Sequence, residues 1–422
     1  MKDYFFNAII LAPEEVSMDY SKLDLKELLE FLMYHKCSDK FKNKDINPVY
    51  QEILNRFNKE ENKTLVLSER AEKKLYIWLK NKVGYDFLND LIQQAVNYIT
   101  GNYSNKHSYF VLDNLPVIKN IIDLQINDSL LDMNKEMSSV SLIDKYKTEE
   151  LFVGFLKKID TSLEWLNIYY DARNNGNIVY LNDLTEEDEK KALHKFGLDK
   201  FEGPNGCVHI NGEQYIWLTR ENTTEDFSSL VHEFMHYIVD LKNNPREIPH
   251  ILVEFPSIFY ELYSHKFLLE QGFAETELNL LKARRMNDSL YGASNVVDIF
   301  NIIKLYLING RITERMLIER NPSSKKLKNE NLISHEFKLK EWEIVVEKLI
   351  NMLDYVYFWY PYIICTYFSN RALENTDDYL LIKMKYITEN FSSLNVYDAL
   401  SLLNVPLDNL GIIPISYGNE LK

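Results

Sequence analysis

Two histidines stand four residues apart in the run His232-Glu233-Phe234-Met235-His236. On a helix, positions i and i+4 lie one turn apart on the same face, so both rings can reach one ion. Glu233 follows the first histidine and approaches the same point from an adjacent angle. A carboxylate so placed can take a proton from a water held at the ion, which is the chemistry that activates water for amide hydrolysis. The alternative for the bare pattern is a helix with two satisfied polar residues on one side. Its neighbours argue against that. Leu230, Val231, Phe234, Ile238 and Val239 give the helix apolar faces, and polar side chains among them are costly unless they bind something.

A hydrolytic zinc site takes three protein ligands and keeps a fourth position open. A third histidine six residues after the second would fall at 242, which is Lys242. The other arrangement uses a glutamate from a following helix, with Glu247, Glu254, Glu261 and Glu270 as candidates. Glu247 falls in a proline-flanked connection, and Glu270 near the far end of the second helix. Glu254, one turn into that helix, would come opposite His232 and His236 if the two helices pair antiparallel. Glu261 shares its face seven residues on and suits a hydrogen bond to the back of a ligating histidine.

These residues need rigid elements. Thr223 is a plausible N-cap for the histidine helix, with Asp226 three residues later. The helix should run to about Asp240 and stop at Asn243-Asn244-Pro245. A second helix is expected from near Pro249 to Glu270, ending at Gly272. Before them, between about 166 and 220, two turn signals suggest a small antiparallel sheet. Asn174-Asn175-Gly176 lies between Asn167–Asp171 and Asn177–Leu181, and Asn211-Gly212 lies between Cys207–Ile210 and Glu213–Leu218. Thr185, followed by Glu186, Glu187 and Asp188, should open a short helix between the two hairpins.

The first 165 residues read as amphipathic helices, with Leu25, Leu28, Leu29 and Leu32, and then Leu75, Trp78 and Leu79, at helical spacing. Gly84 and the Thr100-Gly101 pair look like helix stops. Further helices are expected over roughly 275–310 and 337–375. The organisation expected is therefore an N-terminal helical region, 1–165, followed by a catalytic region, 166–422.

The whole composition agrees with a helical, globular chain. There are 422 residues with only 13 glycines and 11 prolines, too few for a turn-dense β-sandwich. A formal net charge of −15 disfavours binding to nucleic acid, whose phosphates it would repel. Cys37, Cys207 and Cys365 are odd in number and far apart, which fits neither a disulfide framework nor a cysteine-ligated metal, and suggests a reducing cytoplasm. The run Tyr4–Leu11 lacks the basic flank of a signal peptide, and no apolar stretch reaches membrane-spanning length, so no membrane partner is expected. Oligomeric state is not written in the sequence.

The segment Tyr215–Asp226 with Leu230–His236, and the later run Glu254-Phe255-Pro256-Ser257-Ile258-Phe259-Tyr260-Glu261, resemble the M3 family of oligopeptidases, especially its oligoendopeptidase F branch. The clear resemblance covers about 200–265. Two departures are Met235, where that family usually has glycine, and Val239, where it has another histidine. The resemblance implies a large, mainly helical metallopeptidase fold of the gluzincin type. It also implies one Zn2+ per chain on His232, His236 and Glu254, with Glu233 as general base, and peptide substrates held in a deep cleft walled by the N-terminal helices. The segment Tyr355–Tyr362 is similar to a tyrosine-rich stretch of the family that stabilises the oxyanion, which points to Tyr360 first and Tyr367, on the same helical face, second. The function implied is endopeptidase action on short unstructured peptides. A catalytically silent helical binding protein, or an effector-type protease with a specific protein target, are the competing readings.

Overall fold

The computed structural model describes residues 19–37, 45–102, 115–133, 141–320 and 334–405, apart from positions 199, 202, 204, 211, 245, 246, 249, 353, 354, 356–358 and 376. The readings made on Tyr4–Leu11, Asn211, Pro245, Pro249 and residues 356–358 lie outside them. The chain is mainly helical, with one three-stranded sheet. In chain order the elements are α1 (Leu25–Cys37), α2 (Asn47–Glu60), α3 (Glu69–Asn102), α4 (Leu115–Met133), α5 (Lys145–Ile159) and α6 (Glu164–Asn174), then β1 (Ile178–Tyr180), α7 (Glu186–Phe196), β2 (Asn205–Ile210) and β3 (Glu213–Leu218). There follow α8 (Thr224–Lys242), α9 (Phe255–Glu270), α10 (Glu275–Asn309), α11 (Glu314–Glu319), α12 (His335–Ile350), α13 (Tyr360–Leu373), α14 (Leu380–Glu389) and α15 (Val396–Leu402). Among the described residues no helix is long and apolar enough to cross a membrane.

Two compact units emerge, and their boundaries do not fall at 165. One comprises residues 1–102 and 295–355, the other residues 103–294 and 356–422. Residues up to 165 therefore divide between them, because α5 packs on the histidine helix. In the first unit, α3 runs straight through Gly84 rather than stopping there. The missing side chain is used for close approach: a Cβ at Gly84 would lie 3.3 Å from the Trp342 ring, and Trp342 Nε1 donates to the Gly84 carbonyl at 3.1 Å.

The second unit holds the sheet, in strand order β1-β3-β2. The Cys207–Leu218 hairpin forms as the Asn-Gly signal predicts, with Ile210 paired to Glu213 and Gly212 at φ +85°. The upstream hairpin does not form. Residues 164–174 are helix α6, burying Trp165, Leu166, Tyr169 and Ala172 at helical spacing, and a three- to four-residue apolar period outweighs a turn signal. Only β1 remains of it, and β1 joins β3 in parallel, so the sheet is mixed rather than antiparallel. Because β3 is central, the outer edges among the described strands belong to β1 and β2, and β2 offers the longer one, six residues against three.

Candidate metal centre

Helix α8 is held at both ends. Thr223 caps it, accepting from Glu225 N at 3.3 Å, while the Asp226 carboxylate reaches back to the backbone N–H of Glu221 (2.9 Å) and Asn222 (2.8 Å). Buried Glu277 accepts from Thr224 Oγ1 at 2.5 Å and from Ser141 N and Oγ at 2.8 and 2.7 Å. At the other end Asn243 donates to the Thr388 carbonyl (2.8 Å) and accepts from Ser392 N (2.9 Å). Between these anchors Phe234 meets Phe152 and Tyr169 edge-on, with ring centroids 5.4 and 5.8 Å apart, and Phe227 meets Phe155 at 5.9 Å. Met235 and Val239, the two departures from the family pattern, are buried in this apolar side. His232, Glu233, His236 and Asp240 are left half-buried on the other.

Glu254 arrives differently from the sequence expectation. A 3-10 turn, His250–Leu252, comes first, and α9 begins only at Phe255, so Glu254 is the residue before the helix rather than one turn inside it. Its side chain makes no cap hydrogen bond and turns instead to the histidines. Glu254 Oε2 lies 3.1 Å from His236 Nε2 and 3.3 Å from His232 Nε2, and the two ring nitrogens are 3.2 Å apart. Glu261, 3 % exposed, meets His232 Nδ1 through Oε2 at 2.8 Å. That contact assigns the Nδ1 proton to the Glu261 side and leaves the Nε2 lone pair directed at the triangle.

The donor set can be tested for a metal on these distances. Ligand atoms ~2.0–2.1 Å from a tetrahedral zinc lie about 3.3–3.4 Å from one another, close to the observed edges. Two nitrogens and one oxygen are also a set zinc accepts. Among the described residues this is the group of histidine, cysteine and acidic side chains close enough to share an ion. The electrostatics agree. Burial alone would depress His232, but hydrogen bonds and charge from Glu254 and Glu261 more than reverse it, pushing it up to about 10. Burial likewise opposes the rise at His236, and Glu254 overcomes it. Burial would raise Glu254, yet the two imidazoles hold it well below the usual carboxylate range. The fold stabilises positive charge at this point. The residues fit a zinc ion.

Two other groups lie near the histidines. The charge of Glu233 adds to the rise at His236 and, behind burial and Asp240, to the rise of the Cys207 thiol on β2. From α13, Tyr362 sets its ring 6.3 Å from that of His232. The sequence expectation named Tyr360 and Tyr367; Tyr360 is 1 % exposed, and Tyr367, half-buried, has its ring against Phe368 at 5.8 Å. Pro361 stands near the start of α13, where a helix tolerates it. Tyr362 shares a helical face with Cys365 and Thr366, and Cys365 Sγ donates to the Ile251 carbonyl at 3.2 Å.

No protein-family model matches the chain, and no curated protein matches it in sequence. Among solved structures it is similar to a candidate oligoendopeptidase F from Bacillus anthracis str. Ames, at 13% identity and a TM-score of 0.42, over 90% of this chain and 65% of that one. It is also similar to a candidate peptidase from Chlamydophila abortus, at 16% identity and a TM-score of 0.42, over 93% of this chain and 81% of that one. The chain thus spans a little under two thirds of the length of the first of these.

Proposed function

We propose that the chain is a zinc-dependent endopeptidase that hydrolyses short unstructured peptides. The observation that carries this reading is the triangle of His232 Nε2, His236 Nε2 and Glu254 Oε2, with edges of 3.1–3.3 Å. These three residues would hold the ion. When bound, zinc supplies Lewis acidity, which polarises a carbonyl and makes a nearby water easier to deprotonate. The remaining tasks belong to the chain's own groups. Glu233 accepts the proton of the attacking water and returns it to the leaving amine. Glu261 fixes the tautomer and orientation of His232. Tyr362 offers a hydroxyl to the carbonyl oxygen as negative charge develops on it. The free edge of β2 takes the peptide backbone in extended form by strand addition.

Elemental analysis and a peptide digest test the reading together. We expect one zinc per chain in the wild type and little in Glu254→Ala. Glu233→Gln should keep zinc and fold but lose at least 10²–10⁴-fold in turnover, since an amide cannot accept the proton. Full zinc stoichiometry in Glu254→Ala against a chelator, with loss in Glu261→Ala, would reverse the ligand assignment. Near wild-type turnover by Glu233→Gln would remove the mechanism.

A further inference from the structure

The first unit carries a second polar site that peptide hydrolysis does not use. Side chains from α3 and from the segment leading into α11 enclose an open pocket of about 470 Å3, within the size range of small-ligand sites. Lys80 lines it. Its side chain is only 2 % exposed, yet it makes no hydrogen bond among the described residues, and the nearest carboxylate oxygen, Glu314 Oε1, is 3.9 Å away. Glu314 is engaged by Lys338 through its other oxygen at 3.3 Å. The Lys80 ammonium rests 5.3 Å from the centroid of the Tyr85 ring. The Tyr85 hydroxyl is itself buried without a hydrogen-bond partner. Arg311 lines the same pocket, exposed and without an ion pair among the described residues, and exposed Asp86 is the one further acid there.

We propose that this pocket binds a small molecule through an oxyanion group, phosphate or carboxylate, with the Lys80 ammonium and the Tyr85 hydroxyl as its donors and Arg311 closing from the rim. A buried charge is tolerated when it is paired and hydrogen-bonded, and among the described residues Lys80 has only a 3.9 Å ion pair and no hydrogen bond, while the Tyr85 hydroxyl has no partner. A cation is the wrong ligand, because Glu314 is already held and the Tyr85 ring is already occupied by Lys80. Consistent with this, burial holds Lys80 below the ordinary lysine value, against the opposing pull of Glu314, a deficit that a bound anion would relieve.

Calorimetric titration of the full chain with inorganic phosphate, and separately with succinate, against sodium chloride at equal ionic strength, tests the proposal. We expect saturable binding of at least one of the two, weakened roughly tenfold or more in Lys80→Met, as befits loss of a charge-assisted hydrogen bond, and weakened less in Arg311→Gln. Stronger binding of phosphate assigns a phosphorylated ligand, and stronger binding of succinate a carboxylated one. Binding should persist in Glu254→Ala, where an anion held at the metal centre would be lost. Should Lys80→Met fail to fold, Tyr85→Phe, which removes only the hydroxyl, should still weaken binding. No saturable binding beyond chloride, unchanged binding in Lys80→Met or in Tyr85→Phe, or loss of binding in Glu254→Ala would each overturn the proposal.

Discussion

Glu254 and Glu261 sit seven residues apart and both touch His232, from opposite sides of the ring: one faces Nε2, the other Nδ1. Their removal should therefore differ in kind. Losing Glu254 deletes a ligand atom, whereas Glu261→Gln keeps the ligand set and loosens the ring that carries one. Orienting partners of this sort typically tune metal affinity 10–100-fold. Chelator competition should place Glu261→Gln in that range, between wild type and Glu254→Ala, and wild-type affinity in Glu261→Gln would leave it a merely structural contact. Tyr362 makes a second residue-scale prediction. If its hydroxyl meets the developing oxyanion, Tyr362→Phe should lower kcat by about 10²–10³-fold with KM nearly unchanged. Tyr360→Phe and Tyr367→Phe should retain kcat. A kcat loss in Tyr360→Phe alone would restore the assignment that the sequence suggested. The pairing of His232 with His236 beside Glu233 stood out in the sequence because the three lie within about one helical turn and depend on no other element. Choosing among the tyrosines needed the fold, which sets the Tyr362 ring near His232, whereas apolar counting does not report which ring comes there.

Asp160 shows how elements are joined behind the site. It follows α5 and is 1 % exposed. Its carboxylate accepts from Ser162 N and Oγ at 3.0 and 2.5 Å, from Trp165 N at the start of α6 at 2.8 Å, and from Lys385 of α14 at 2.9 Å. Burial would raise its pKa, but these donors together hold it below the ordinary aspartate value. A depressed carboxylate contributes stability that is present above its unfolded value, near 4, and is lost as pH falls through the lower folded value. Asp160→Ala should therefore cost about 2–3 kcal/mol near neutrality. The difference from wild type should shrink in denaturation curves taken below pH 4, and a difference that grew on acidification would contradict this account. None of this network was readable in the sequence, because Lys385 lies 225 positions away. The same distance problem explains the strand error: Asn174-Asn175-Gly176 is a turn in either topology, and only the packing of Trp165 on Tyr260 of α9 and of Tyr169 on Phe152 of α5 and Phe234 of α8 decides that a helix precedes it.

For the molecule as a whole, apolar periodicity reports that a face is covered but not which partner covers it. That is why a division at 165 looked natural and the two units divide elsewhere. The proposed activity makes one demand at this scale. An extended chain can pair with β2 only if its own amides are free, and in a folded protein they are already paired. Peptides of roughly 5–20 residues, which span about 3.3 Å per residue when extended, should be cut readily, and a stable folded protein hardly at all. Timed digests of a peptide series beside such a protein would decide it, and equal turnover would favour a protease directed at a specific protein target.

The outer edge of β2 has a consequence beyond turnover. A row of unpaired backbone donors and acceptors is as open to the edge of another copy as to a peptide, the usual seed of sheet-to-sheet self-association. The strand limits that hazard by being short, six residues. Gly206 weakens it further, and could not be replaced by a better strand former, since a Cβ there would lie 2.4 Å from the Trp217 ring. Colloidal behaviour at high concentration should therefore track edge occupancy: a slowly cleaved peptide would act as a protective cap, and its exhaustion would be followed by clouding.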